Sequence, residues 1–345
     1  MKIFLTGGTG YLGGHVARAF LAAGHQVETL VRDRGRALDL QDHGASLVEG
    51  DVTAPGTWRD PMQRAEVFVH AAATVLSWAE DPTVFKRVNV DGALRMVDHA
   101  AECGVSRILV ASSLFVFGPS PAGTVGDERL IEGDAHPLTR ANHYVHSKRL
   151  AAEALWKRQR DRVPITMLYP TILLGPGNLT AGNHTATVLS DIGRGKFPGL
   201  VGGGEQIWNL VPVESAARGF VCALENGPAI EEYILGGENW TQRQLVERAA
   251  YHFGVRAPLR RLGRALPMTL AWFAERWGAM RNQAPFLTRG EVSLYDADWA
   301  FSSEKASREI AYDRGEVEAT VEATANWLRD EVWPQEAAAR RKQIG

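Results

Sequence analysis

An α/β fold, a doubly wound parallel sheet with a smaller, mostly helical C-terminal substrate-binding cap, is predicted by three observations. Short β-like runs alternate with helical segments through the first half of the chain. Such alternation builds βαβ units, whose parallel strands are covered by helices on both faces. A glycine-rich turn, Thr6-Gly7-Gly8-Thr9-Gly10-Tyr11-Leu12-Gly13, closes the first run and opens the first helix. After Pro170 the texture changes: stretches 175–183 and 199–205 are turn-rich, and Trp, Pro and Arg become frequent between 240 and 299.

The elements follow in order. Runs 2–6, 26–31, 46–49, 66–71, 107–111 and 165–169 have strand length and apolar character. Helical spacing fills 11–23, 82–103 and 143–160 between them. These set an expected domain division: 1–170 as a nucleotide-binding domain, with segments near 206–236 returning to it, and 171–205 with 237–345 as the cap.

With 345 residues, 45% apolar and 23% charged, the chain has ordinary globular proportions. A net charge of −2, with both signs intermixed, gives no electrostatic reason to bind nucleic acid. Cys103 and Cys222 stand far apart without metal-ligand spacing, so no metal is expected and a reducing, cytoplasmic location is. Met1 leads straight into a strand-forming run, so no leader is expected. No apolar stretch approaches the ~20 residues that span a bilayer, which excludes an integral membrane segment.

Gly7, Gly10 and Gly13 have the spacing of a Rossmann-type dinucleotide turn. Gly7 permits the tight turn, Gly10 lets backbone approach a pyrophosphate, and Gly13 lets the helix pack on the strand. The helix N-terminus then offers N–H groups and positive dipole to phosphates. Thr9, Tyr11 and Leu12 lie in the same turn. An acid at the end of the second strand would bond a ribose 2′-hydroxyl, and arginine there would grip a 2′-phosphate. Val31 holds that position, with Arg32 next and Arg34 and Arg36 close behind, so NADP is favoured over NAD. Asp51-Val52, at the third strand's end, is placed to bond an adenine amino group.

Tyr144 and Lys148 stand four residues apart at the start of a helix, on one face. An ammonium beside a phenol, with an oxidised nicotinamide, brings a group with a reference pKa of about 10 toward a useful range. Ser112 and Ser113 end the 107–111 strand, on the edge where such a sheet binds its ligand.

TGGTGYLG, Asp51-Val52, His70-Ala71-Ala72-Ala73, Asn89-Val90-Asp91-Gly92, Ser112-Ser113, YVHSK and Tyr169-Pro170-Thr171 occur in the order of the extended short-chain dehydrogenase/reductase family. The chain resembles that family, the NAD-dependent epimerase/dehydratase superfamily, over nearly its whole length. LVRD, YPTILLGPGN, YILGGEN and FSSEKASREIAY are most similar to its dihydroflavonol-reductase branch, near hopanoid-associated epimerases and 3β-hydroxysteroid dehydrogenase-like proteins. The resemblance implies that Tyr144 exchanges a proton with the substrate oxygen and that Lys148 binds the nicotinamide ribose. It implies that Ser113 bonds the substrate carbonyl, that Ala71, Ala72 and Ala73 pass close to the cofactor, and that Pro170 and Ile172 border the nicotinamide. Asn89 is expected to act as a hydrogen-bonding helix residue, and a homodimer is in keeping with the family.

The chain departs from the family pattern at Phe117, often Tyr, at Tyr169, often Arg, and at Val211-Pro212-Val213-Glu214, often HVDD. Leu76, Ser77, Trp78, Phe115, Phe117, His143, His146, His184, Phe197 and Trp208 are the residues expected to face substrate. Most are apolar or aromatic, so a neutral, hydrophobic small-molecule carbonyl or alcohol is expected. The Trp-rich segment 262–280 is an amphipathic helix candidate, for packing against the cap or a second subunit more than for a membrane surface. The leading reading is an NADP-dependent reductase or dehydrogenase. An epimerase or dehydratase with tightly held cofactor is the alternative within enzymology, and a non-catalytic NADP-binding regulator is the alternative outside it.

Overall fold

The computed structural model describes residues 1–54, 56–132 and 135–344; Gly345, the last residue of the expected cap, lies outside them. In the first half the strands are β1 (Lys2–Thr6), β2 (Gln26–Val31), β3 (Ser46–Glu49), β4 (Val67–His70), β5 (Arg107–Ala111) and β6 (Ile165–Pro170). They are followed by β7 (Ile172–Leu174), β8 (Leu200–Val201), β9 (Ile207–Pro212), β10 (Glu231–Leu235), β11 (Glu238–Thr241) and β12 (Arg261–Leu262). Seven form one sheet in the order β10-β6-β5-β4-β1-β2-β3, with every pairing parallel.

Alternation along the strands divides the core in two. Phe4, Phe68, Ile108 and Met167 point to one face and pack with Trp58, Met96 and Val97. Their neighbours Leu5, Val69, Leu109 and Leu168 point to the other and pack with Val16, Phe20 and Phe220. Because both faces are covered, the strands read as continuous apolar runs. Strand order reverses between β1 and β4, so the crevice beyond their carboxyl ends is the ligand position of such sheets. The glycine turn leaves β1 there, and segment 71–77 leaves β4 beside it.

Most expected elements differ from the observed ones only at their ends. The 82–103 helix differs inside: Thr83–Phe85 and Ala93–Glu102 are joined by a π-helical turn, Lys86–Gly92.

The second half serves both layers. β11, β9 and β7 form a small sheet, β9 antiparallel to β11 and parallel to β7. Within the returning segment, β10 joins the main sheet and the Val213–Asn226 helix packs on the Tyr11–Ala22 helix, whereas β9 stays in the small sheet. The Glu304–Ile310 helix, expected in the cap, lies instead against β10 and the Val213–Asn226 helix. Its Ala306 and Ile310, with Tyr312, share the core of Phe20 and Phe220, because β10 would otherwise expose its apolar face.

Candidate active site

Gly7 has φ +85°, a left-handed conformation, and a Cβ there would lie 2.5 Å from the Ala71 backbone. A Cβ on Gly13 would lie 2.1 Å from the Gly7 carbonyl, so the first helix can rest on the turn only with glycine at that position. The helix is capped by Gly10 without a side-chain bond, which leaves its first N–H groups open to the cavity. Tyr11 is anchored from the far side, its hydroxyl donating to the Gly175 carbonyl at 2.8 Å.

This turn forms one end of a cavity of about 810 Å³ that runs along the carboxyl edge of the sheet. All the expected cofactor residues line it: Gly7, Thr9, Gly10, Tyr11, Leu12, Gly13, Arg32, Arg36, Asp51, Val52, Ala71, Ala72, Ala73, Lys148, Pro170 and Ile172. The arginines beyond β2 are not equivalent. Arg34 donates to the Leu47 carbonyl and lies 3.6 Å from Glu49, away from the cavity. Arg32 and Arg36 are exposed on the rim and have no carboxylate partner among the described residues. Asp33, the nearest acid, accepts from the Gly35 N–H at 2.8 Å and does not reach the wall. At Asp51 partial burial raises the carboxyl pKa, but two Thr53 hydrogen bonds and the charges of Arg32 and Arg87 outweigh it and hold the group below the usual range.

β5 delivers Ser113 to the middle of the wall, and the helix His143–Arg160 delivers Tyr144 and Lys148 opposite. Asn142 caps that helix, its Oδ1 accepting from the Val145 N–H at 2.9 Å. The Ser113 hydroxyl lies near enough to the Tyr144 phenol to lower its pKa, which distinguishes it from its neighbour Ser112. Burial pushes the phenol up to about 12, with Ser113 pulling the other way. Lys148 is nearly buried; desolvation lowers it to about 8, and its Nζ donates to the Ala111 carbonyl at 3.0 Å. The Lys148 ammonium is engaged with Ala111, and burial dominates the phenol.

Asn89 lies in the π-helical turn and faces inward. Its Oδ1 accepts from the Thr74 N–H at 2.7 Å, and its Nδ2 donates to the Thr74 carbonyl at 2.9 Å and to the Ser147 hydroxyl at 2.8 Å. Ser147 donates in turn to the Tyr144 carbonyl at 2.7 Å. Sequence reasoning missed Ser147 and Thr74, although the Asn89 motif pointed to the network.

Of the expected substrate residues, Leu76, Ser77, Phe115, His184 and Trp208 line the cavity. Trp78, Phe117 and His143 do not. Phe117 is core, its ring 4.7 Å from that of Tyr169 and 5.7 Å from that of Phe301. His143, exposed, stacks on Phe85 at 5.7 Å. Trp78 falls beyond a bend at Ser77 that turns the chain away. His146 and Phe197 are also off the wall. In their place stand Glu291, Leu294, Tyr295 and Trp299, from a distant stretch whose order in the chain carries no signal. Tyr295 hydrogen-bonds His184 and packs on Trp208 at 5.0 Å, and Trp299 meets Phe115 edge-on at 4.8 Å. The Trp208 indole N–H and the Thr171 hydroxyl, both on lining residues, are buried without a partner among the described residues.

The departures from the family pattern at 117 and 169 are one packing arrangement. Tyr169 accepts from the Trp156 indole and donates to Glu232, both at 2.7 Å, with Phe117 against its ring.

Comparison with known proteins agrees with this geometry. The model of the NAD dependent epimerase/dehydratase family matches residues 3–236. The chain is 26% identical over 331 residues to a putative dihydroflavonol 4-reductase of Synechocystis, covering 95% of this chain and 94% of the relative. It is 27% identical over 321 residues to the 4-hydroxy-2-methyl-3-oxo-4-farnesyl-3,4-dihydroquinoline-1-oxide ketoreductase of Stigmatella aurantiaca, covering 90% and 92%. Among solved structures it is similar to gox2253, with a TM-score of 0.80, 28% identity and 95% and 97% coverage. The chain belongs to the NAD dependent epimerase/dehydratase family, the extended short-chain dehydrogenase/reductases, and is an NAD(P)-dependent oxidoreductase.

Proposed function

We propose that the protein is an NADP(H)-dependent reductase that interconverts a carbonyl and an alcohol on a neutral, hydrophobic substrate. The observation that carries this reading is that Ser113, Tyr144 and Lys148 stand together on the wall of the cavity that the glycine turn opens into.

The residues fit a dinucleotide. Gly7 and Gly13 leave a cradle without side chains, the uncapped helix faces it, and Arg32 and Arg36 have free guanidiniums for a 2′-phosphate. When bound, NADPH supplies the hydride that the carbonyl carbon takes up. Ser113 holds the carbonyl oxygen by hydrogen bonding, and Tyr144 passes its proton to that oxygen as charge develops. Tyr144 is protonated at neutral pH, as a phenol with a pKa of about 10 or above must be, the state a proton donor needs. Lys148, still largely charged there, offsets the phenolate that the transfer leaves.

The substrate end supports an apolar ligand. Val188, Leu245 and Leu294 line the cavity with Phe115, Trp208 and Trp299, and Lys148 is one of three lysines and arginines on its wall. The other cations on the wall, Arg32 and Arg36, belong to the nucleotide end, so a sugar-nucleotide diphosphate lacks an arginine clamp. The Stigmatella relative's name describes carbonyl reduction on a farnesyl-bearing molecule, in keeping with this reading.

The test follows NADPH absorbance against a panel of hydrophobic ketones. Tyr144→Phe is expected to lower turnover on the order of 10²–10⁴-fold with NADPH affinity retained. Undiminished turnover in that variant refutes the reading, and cofactor held through purification without net NADPH consumption favours an epimerase.

A further inference from the structure

The helix Ala265–Arg281 is apolar on two sides. Pro267, Ala271, Ala274 and Gly278, small residues at helical spacing, seat it on the protein. Leu266, Leu270, Phe273, Trp277 and Met280 recur at i, i+4, i+7, i+11 and i+14 and form a second stripe on an adjacent face. All five face solvent, Phe273 at 60% and Met280 at 75% exposure, and Trp272, against Phe273, extends the apolar surface. Single exposed apolar residues need no explanation; a contiguous stripe of large ones marks a surface that something covers.

Charge identifies the occupant. The stretch 256–288 holds six arginines and one acid, Glu275, in a chain whose net charge is −2. Arg276 and Arg281 border the stripe on opposite sides, their guanidiniums over Trp272 at 5.5 Å and Trp277 at 4.2 Å. Arg264 is engaged by Asp296 and Glu275 by Arg289. Arg260, Arg261, Arg276 and Arg281 have no carboxylate partner among the described residues. A second copy docking through the same face would set this excess positive charge against itself. Exposed indoles and large aliphatics bordered by arginine are the composition of a helix lying in the bilayer interface, and the unpaired charge complements anionic headgroups.

We propose that the outer face of Ala265–Arg281 docks the protein onto an anionic membrane surface. It lies in the interface: no helix among the described residues is long and apolar enough to cross a membrane. The inner face of small residues makes the cap contact expected from the sequence.

The helix that carries the docking face packs beside the cavity wall. The helix packs on Arg289–Tyr295, whose Glu291, Leu294 and Tyr295 form part of the wall. Asn282, at its end, hydrogen-bonds Glu80, a few residues past the lining Leu76 and Ser77. Given the proposed hydrophobic substrate, on which this one clause rests, docking sets the cavity's apolar end beside the lipid that dissolves it.

The test is co-sedimentation with vesicles of equal parts phosphatidylglycerol and phosphatidylcholine, against phosphatidylcholine alone. Roughly 10-fold stronger binding to the anionic vesicles, lost in high salt, is expected from a few arginines near the surface. The triple variant Leu270→Ser, Phe273→Ser, Trp277→Ser is expected to stay in the supernatant, with unchanged melting and NADPH binding showing an intact fold. Arg276→Glu with Arg281→Glu, which leaves the apolar stripe, is expected to remove the preference for anionic lipid. Wild-type protein that sediments with neither vesicle overturns the proposal. So does a dimer, seen in sedimentation equilibrium, that the triple variant dissociates while vesicle binding is absent. Turnover is not read in these assays, so failure of the docking and failure of the reductase reading are separable.

Discussion

Asn89 donates to the Ser147 hydroxyl at 2.8 Å, and through it the loop after β4 is tied to the first turn of the helix carrying Tyr144. The same side chain accepts from and donates to the Thr74 backbone. Asn89→Ala strands the Thr74 groups and removes the donor to Ser147, at a cost of about 1–3 kcal/mol for each buried group left unsatisfied. Thermal melting should show the loss, and turnover should fall more than NADPH affinity because Tyr144 loses its positioning. A variant with wild-type melting and turnover would show the network to be idle.

Arg32 and Arg36 line the cavity, whereas Arg34 is engaged with Leu47 and Glu49. Charge-assisted bonds to a 2′-phosphate are worth about 1.5–3 kcal/mol. Arg32→Ala is therefore expected to weaken NADPH binding roughly 10- to 100-fold while NADH binding barely changes. Arg34→Ala serves as the control, with no effect on either. Fluorescence titration of both cofactors decides it; equal losses for NADH and NADPH would remove the 2′-phosphate assignment.

His70 is buried at the end of β4, its Nδ1 2.9 Å from the Thr6 hydroxyl. Desolvation, then the charge of Lys148, lowers it to about 3. With the folded value below the unfolded one, the unfolded chain binds more protons between about pH 3 and 6.5. Stability is thus fully present above pH 6.5 and is lost as pH falls through that window, by up to about 5 kcal/mol. His70→Asn should flatten the acid side of the melting profile between pH 7 and 4. An unchanged slope would place the acid sensitivity elsewhere.

Phe117 and Tyr169 pack at 4.7 Å, and the Tyr169 hydroxyl already has both its partners. Phe117→Tyr restores the residue common in the family but buries a hydroxyl among Tyr169 and Phe301. It should destabilise the protein by about 1–3 kcal/mol with KM for substrate unchanged. A shift in KM at unaltered stability would return position 117 to the substrate wall.

What was legible in the sequence was local. Gly7 and Gly13 are demanded by one turn and one helix contact, and Tyr144 and Lys148 share a face because they are one helical turn apart. Phe115 and Phe117 show where local reading stops. The 3₁₀ turn Leu114–Val116 sends the first toward the cavity and leaves the second in the core, though both are aromatic and two residues apart. The outer stripe of Ala265–Arg281 was visible as a pattern, but a pattern alone does not say which apolar face the protein itself covers.

The sequence by itself determined the parallel sheet and the glycine turn that leaves β1, because each rests on spacing within one or two adjacent elements. Only the tertiary structure decided the far wall of the cavity. Glu291, Leu294, Tyr295 and Trp299 meet Ser113 and Phe115 across more than half the chain, and packing between distant elements leaves no periodic trace for a sequence reading to find.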